Sequence, residues 1–295
     1  MNIKRAPSFI IISLAYILAT VVGVLVYQAL DFTAWLALLI ADIVATLVIF
    51  VFSVIFKNAS VYDPYWSVQP IIILACFAIG YGLNLTSALV LIVIAIWGVR
   101  LTANWAYTFK GMAHQDWRYT MLKEKTGTLY PLINLLGIHI VPTLVVYLCT
   151  LPAMHVIIAR PVLEPEGLVA LLLSVIAITL QTIADIQMHI YRKSRRTTFV
   201  RIGVWKNARH PNYLGEILMW WGVALYCIAQ RPDMWYMLAG AIANSLLFAF
   251  VSIPMAEERQ AKKEGFEEYK NETNLLFPFE KIVEKEPDKE LDEEE

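Results

Sequence analysis

Of the 295 residues, 58% are apolar and 17% are charged, and the formal net charge is −1; the mean hydropathy is +0.58. Soluble globular domains run nearer ~45–50% apolar and ~25% charged, so a soluble enzyme and a disordered chain are both excluded, and so near-neutral a charge offers no basic field for nucleic acid. Cys76, Cys149 and Cys227 lie inside apolar runs without paired spacing, which argues against a disulfide framework and against a thiolate metal site.

The composition is that of an all-α, polytopic membrane bundle. A span needs about 20 apolar residues to cross about 30 Å of hydrocarbon, and eight segments qualify in chain order: 8–30, 33–56, 68–86, 87–109, 129–151, 166–190, 213–230 and 234–255. The third carries Pro70 near its start. The seventh is short and holds Gly215, Glu216 and Gly222, so the expected number of spans is seven or eight. Lys4 and Arg5 ahead of the first segment resemble a signal peptide, but the apolar run is too long and no small-residue cleavage site follows it. With eight spans, 21 of the 24 Lys and Arg fall on one side and two, Arg160 and Arg231, on the other, with Arg100 inside a segment. The positive-inside rule then predicts cytosolic N- and C-termini. The chain reads as one membrane domain over 1–280, with its cofactor-binding half at about 166–280, followed by an acidic, disordered cytosolic tail over 281–295.

Ionisable groups at membrane depth are costly and mark candidate sites. On the second segment Asp42 either pairs with another helix or lines a cavity. On the fourth, Arg100 and Asn104 are one turn apart, placed to cap a pocket or to hold helices together. His139, on the fifth, reads as a hydrogen-bonded packing residue. The sixth is the clearest: Gln181, Asp185, His189 and Arg192 follow at steps of four, four and three, which makes one stripe on one helix face. Two loops on the basic side hold unusual polar groups. One runs from Ser60 to Pro70 and contains Asp63, Tyr65, Trp66 and Gln69. The other runs from Tyr107 to Tyr119, and its Trp117-Arg118-Tyr119 suits a surface helix or a phosphate contact.

The stretch from Arg201 to Trp221 is the most informative. Gly203 and Pro211 break the helix, Arg209 and His210 precede a new one, and Asn212, Tyr213 and Glu216 open it. Cationic donors beside a helix N-terminus suit phosphates; Arg192 and Arg209 are the candidates, with His210 in support. Asn212 and Glu216, four apart, share a face, and an amide with a carboxylate can recognise a carboxamide or a ribose hydroxyl.

The run Arg209-His210-Pro211-Asn212-Tyr213-Leu214-Gly215-Glu216 resembles the C-terminal signature of the steroid 5α-reductase superfamily, and most closely its bacterial-type DUF1295 branch. The loop with Asp63 and Trp66, the Arg100 helix, the Trp117-Arg118-Tyr119 loop, and Phe266-Glu267-Glu268-Tyr269 with Phe277-Pro278 are similar to that branch as well. The resemblance implies an integral-membrane reductase, in the bacterial inner membrane, that uses NADPH to reduce the carbon–carbon double bond of an enone lipid such as a 3-oxo-Δ4-steroid. Its apolar substrate would enter from the bilayer. By position it implies cofactor contacts from Asp185 and Arg192, with Gln181 standing where mammalian members have an asparagine. It also implies contacts from Asn212 and Glu216, with Tyr213 and Trp220 at neighbouring pocket positions and Arg259 as a further counterpart. The mammalian ketone-polarising tyrosine and glutamate have no clear match; Asp63, Tyr65, Gln69 and Tyr107 are the substitutes, with Asp63, Tyr65 and Tyr107 taken as the catalytic candidates. Two other readings share parts of the pattern: an isoprenylcysteine-type membrane methyltransferase using S-adenosylmethionine, which carries a similar Arg-His-Pro-x-Tyr-x-Gly segment, and a non-enzymatic lipid-binding or transport protein.

Overall fold

The computed structural model describes residues 4–194 and 199–280; the tail over 281–295, expected to be disordered, lies outside the described residues. Twelve helices follow in order: α1 (Arg5–Ala29), α2 (Ala34–Ile55), α3 (Tyr65–Tyr81), α4 (Leu85–Thr108), α5 (Trp117–Thr126), α6 (Tyr130–Ile133), α7 (Val141–Ala159), α8 (Pro165–Lys193), α9 (Pro211–Gln230), α10 (Leu238–Leu247), α11 (Ile253–Gln260) and α12 (Phe266–Glu272). Two π-helical stretches interrupt the pattern, Asn134–Ile140 ahead of α7 and Phe248–Ser252 between α10 and α11. Among the described residues there is no β-strand, only an isolated bridge between Ala208 and Asn274.

Seven helical stretches are long and apolar enough to cross a membrane, and the protein is an integral, multi-pass membrane protein. Helix α9, whose expected segment is short and holds Gly215, Glu216 and Gly222, falls outside that set of seven. It nevertheless lies along α8 in the antiparallel sense, Gly215 facing Gln181, Gly222 facing Ser174 and Gln230 facing Gly167. Three boundaries differ from the sequence expectation. Helix α3 starts at Tyr65, so the second half of the Ser60–Pro70 stretch is helix and not loop; Pro70 is accommodated inside it. The turn follows Tyr81, where Gly82 at φ 75° ends α3, and Asn84 and Ser87 form a reciprocal capping box that starts α4. Helix α7 extends to Ala159, past the expected end at 151, with Pro152 inside it.

Helix α7 is the hub, packed against α2, α3, α4, α9 and α10. Its apolar residues from Val145 to Ile157 are largely buried in one cluster with Leu74, Trp97, Met219 and Tyr226. Helix α8 shows how such a chain is patterned when the solvent is lipid. Val169, Leu172, Ile176, Ile183, Ile186 and Ile190 form an exposed apolar stripe, while Gln181, Asp185 and His189 turn inward. With lipid as apolar as leucine, helix association relies on close packing and polar contacts. Glycines supply the close approach: a Cβ on Gly222 would stand 2.1 Å from Ser174 Oγ and 2.8 Å from the Ala170 carbonyl, and one on Gly215 would stand 2.7 Å from the Ala177 carbonyl.

Gly222→Val should therefore separate α8 from α9 and lower the unfolding midpoint in detergent, at a cost of roughly 1–3 kcal/mol or more. Gly80→Ala, whose added Cβ would meet nothing within 4 Å, should change the midpoint little.

Candidate functional site

Helices α4 and α8 run parallel and meet along two polar stripes. At the inner end the Glu216 carboxylate of α9 joins them. Trp97 Nε1 of α4 (2.9 Å) and Gln181 Nε2 of α8 (2.7 Å) both donate to its Oε2, and Trp220 Nε1 of its own helix donates to Oε1 at 3.0 Å. One step outward Arg100 pairs with Asp185. The next rung is His189 Nε2 and Asn104 Oδ1, 2.7 Å apart, and the last is the Tyr107 ring against the His189 ring and beneath Lys193. Arg100 and Asn104 thus hold helices together, and Asn104 also lines the pocket described next, where the sequence left the two roles as alternatives. Trp97 was missed because a tryptophan in an apolar run reads as packing; its place three residues before Arg100 on the same face was the available signal.

This ladder forms one wall of a cavity of about 330 Å³. Gln181, Asp185, Asn212, Tyr213 and Glu216 line it from α8 and α9; Tyr62, Asp63, Trp66, Asp116, Arg118 and Tyr119 line it from the α3 and α5 side. Both π-helical stretches contribute too, through Gly137 and Ile138 and through Phe248, Val251 and Ser252. Such irregular turns collect at functional sites because they re-aim side chains. Glu216 is 1% exposed, and its three donors are uncharged, so Oε1 keeps an acceptor position to spare. The Gln181 Oε1 and Arg100 Nη1 atoms are buried without a hydrogen-bond partner, and the Asn212 side chain has none among the described residues.

The α3–α5 wall is rigid. Asn58 Nδ2 donates to the Met112 and His114 carbonyls, and Ser60 Oγ accepts from Asp116 N–H. Tyr119 O–H donates to Asp63 at 2.5 Å, and Arg118 lies 3.9 Å from the same carboxylate. Burial works against the charge of Asp116, but the Arg118 guanidinium, 2.8 Å away, holds its carboxyl below the usual carboxylate range. Arg118 is therefore already shared between two carboxylates. Arg192, exposed at the end of α8, has no ion-pair or hydrogen-bond partner among the described residues. It stands within electrostatic reach of Arg259, whose guanidinium lies 4.4 Å over the Trp117 ring.

The arginine–histidine–proline stretch is used differently. Arg209 is buried, with Nε on Glu257 Oε1 at 3.0 Å and Nη1 on the Thr273 carbonyl at 2.7 Å; His210 Nε2 shares the same Glu257 oxygen at 2.7 Å and stacks on Tyr213. Neither lines the cavity: they fasten the start of α9 to α11 and to the segment after α12, where Asn274 N–H also donates to the Asn207 carbonyl. Trp220 stands behind Glu216. Of the catalytic candidates, Asp63 lines this cavity, whereas Tyr107 is 56% exposed at the far end of α4 and Tyr65 opens onto a different cavity between α1, α2 and α3. Asp42 settles both of its alternatives, since it accepts from Tyr65 O–H at 3.1 Å and from Gln69 Nε2 at 2.5 Å and lines that second cavity. His139 is a packing residue, its Nδ1 2.8 Å from the Asn134 carbonyl oxygen. Among the described residues no cluster of three His, Cys, Asp or Glu is arranged to hold a metal ion.

Residues 49–273 match the family described as "Protein of unknown function (DUF1295)". A curated relative, "Uncharacterized protein C594.04c" of Schizosaccharomyces pombe, is 27% identical over 200 residues, which is 58% of each chain, so the chain spans little more than half the length of that relative. No solved structure matches. With the match running from α2 through α12 and across every wall of the cavity, the chain belongs to the DUF1295 family, within the steroid 5-alpha reductase-like group of membrane proteins.

Proposed function

We propose that the protein is a membrane-embedded, NADPH-dependent reductase of the activated carbon–carbon double bond of an apolar enone, with a 3-oxo-Δ4-steroid as the model substrate. The observation that carries this reading is the convergence of Asp185, Asn212 and Glu216 on one cavity walled by apolar helices. Three polar groups of this kind at membrane depth call for a polar ligand, since hydrocarbon would not tolerate them.

The residues present suit a nicotinamide nucleotide. Glu216 Oε1 and Gln181 Oε1 are free acceptors for carboxamide N–H or ribose hydroxyl groups, and Asn212 offers both a donor and an acceptor. Arg192 and Arg259 do not line the cavity, but both stand within electrostatic reach of Asp116, which does, and neither has a carboxylate bound to it, so they suit phosphates. Arg209 and His210 are committed to Glu257; we assign them to holding Asn212 and Tyr213 in place. When bound, the cofactor supplies the hydride. The chain's part is to orient, to exclude water and to handle the proton and the charge that builds on the carbonyl oxygen. Asp63 with Tyr119 is the titratable pair on the opposite wall, and we assign it to that proton. On the positive-inside argument the open, basic end faces the cytosol, the side that supplies nucleotide, and both termini lie there; the bacterial inner membrane is the proposed setting.

Purified protein should bind NADPH and oxidise it in the presence of a 3-oxo-Δ4-steroid, read as loss of reduced-nicotinamide absorbance. Glu216→Gln and Asn212→Ala should abolish turnover. Arg192→Ala should weaken nucleotide binding by about 10- to 100-fold, the equivalent of roughly 1.5–3 kcal/mol for a lost charged hydrogen bond. Arg209→Ala should instead lower the unfolding midpoint. Binding of S-adenosylmethionine with none of NADPH would overturn the assignment and favour a methyltransferase.

A tag placed after residue 295 should be open to protease from the cytosolic face of sealed vesicles. Cleavage only from the opposite face would contradict the proposed orientation.

A further inference from the structure

The loop ahead of α9 can be levelled against α8 residue by residue. Gly215 faces Gln181 in the antiparallel pair, so the residues before α9 fall beside the part of α8 that follows Gln181. Two hydrogen bonds fix that level: Trp205 Nε1 donates to the Ala184 carbonyl at 2.9 Å, and Val204 N–H donates to Gln187 Oε1 at 3.0 Å. There the outer face of α8 is still apolar and exposed, through Ile183, Ile186 and Ile190. The loop over 203–210 therefore lies at the depth of the bilayer boundary and not above it.

The segment after α12 is bonded to that loop. Asn274 N–H donates to the Asn207 carbonyl at 2.8 Å, Arg209 N–H to the Asn274 carbonyl at 3.0 Å and His210 N–H to the Leu275 carbonyl at 3.0 Å. Asn274 Nδ2 then closes a turn on the Phe279 carbonyl at 2.8 Å. Leu275, Phe277 and Phe279 are left 41%, 52% and 69% exposed, with the two phenyl rings stacked at 6.2 Å. None of the three lines either of the two cavities described above. Helix α12 differs: it buries Phe266 and Tyr269 and exposes Glu267, Glu268, Lys270 and Glu272. A charged, water-facing helix thus gives way to a closed turn that holds large apolar side chains outward at the depth of the lipid-facing stripe of α8. A soluble surface avoids such a patch; Phe and Leu at this depth suit lipid.

We propose that the turn over 275–279 is an interfacial anchor whose partner is the lipid leaflet on the basic side of the membrane, with Leu275, Phe277 and Phe279 entering the boundary between headgroups and acyl chains, about 5–10 Å deep. The same turn supplies the acceptors for Arg209 and His210 N–H, so lipid contact steadies the residues from which α9 starts, and with them Asn212 and Tyr213. The proposal does not rest on the nucleotide reading, because its partner and its readouts involve no cofactor.

The test uses the full chain in phosphatidylcholine nanodiscs without nucleotide. Cys149 and Cys227 are buried and Cys76 is exposed, so a Cys76→Ala background can carry a nitroxide at Phe279→Cys, or at Glu268→Cys on the charged face of α12 as the water-side control. Power-saturation EPR then compares collisions with oxygen, which concentrates among acyl chains, and with a water-soluble nickel chelate. Oxygen should dominate at 279 and nickel at 268. Nickel access at 279 equal to that at 268 overturns the proposal; so does shielding of 279 from both agents, which would mark a contact with a second copy or another protein. Hydrogen exchange reads the coupling to α9. In Phe277→Ser/Phe279→Ser the amides of Arg209 and His210 should exchange about tenfold faster, with those inside α7 unchanged. Wild-type exchange at those two amides overturns the coupling and with it the anchor's proposed role.

Discussion

A carboxylate inside an apolar bundle sets the terms for everything around it. Glu216 has no cation bonded to it; two indoles and an amide, drawn from α4, α8 and α9, supply its hydrogen bonds. In hydrocarbon an unpaired acid is far too costly to keep, so those three helices must meet at that point and in that register. The second acid of the ladder, the half-buried Asp185, is neutralised by Arg100, and Asn104 and His189 complete the alignment. Breaking one partner of such a set exposes a buried charge, which is why the ladder acts as a unit.

The remaining architecture serves that meeting. Gly215 and Gly222 bring α9 against α8 closely enough for Gln181 to reach Glu216. Glu257, Arg209 and His210 fasten the entrance of α9, so that Asn212 and Tyr213 present themselves to the cavity with their own backbone anchored elsewhere. The two π-helical stretches also line the cavity. The bundle thereby holds one pocket with polar walls and, on the far side of α3, a second, mainly apolar cavity that includes the Asp42, Tyr65 and Gln69 cluster.

Much of this was legible in the sequence because membrane burial makes polar residues conspicuous. The i, i+4 stripe on α8 gave the inward face of that helix without further information, and the paired spacing of Asn212 and Glu216 gave the face of α9. Hydropathy located the apolar helices, seven of which are long and apolar enough to cross a membrane. What the sequence concealed were contacts between elements far apart in the chain. Arg209 reads as a phosphate ligand until Glu257, 48 residues later, is seen to hold it. Tyr65 and Asp63 are two apart and read as one site, yet α3 begins between them and sends them to opposite sides. Trp97 looks like packing until a carboxylate 119 residues away accepts its N–H.

The claim at the centre of this account is that the Glu216 cavity holds a reduced nicotinamide. Trp97 and Trp220 both donate to Glu216, so a nicotinamide at that carboxylate would sit beside two indoles, and tryptophan emission overlaps the absorbance of reduced nicotinamide. Energy transfer on titration of NADPH into the purified protein is therefore the direct measurement. A saturable transfer signal that disappears in Glu216→Leu is the predicted result; tryptophan emission unchanged at saturating NADPH would contradict it.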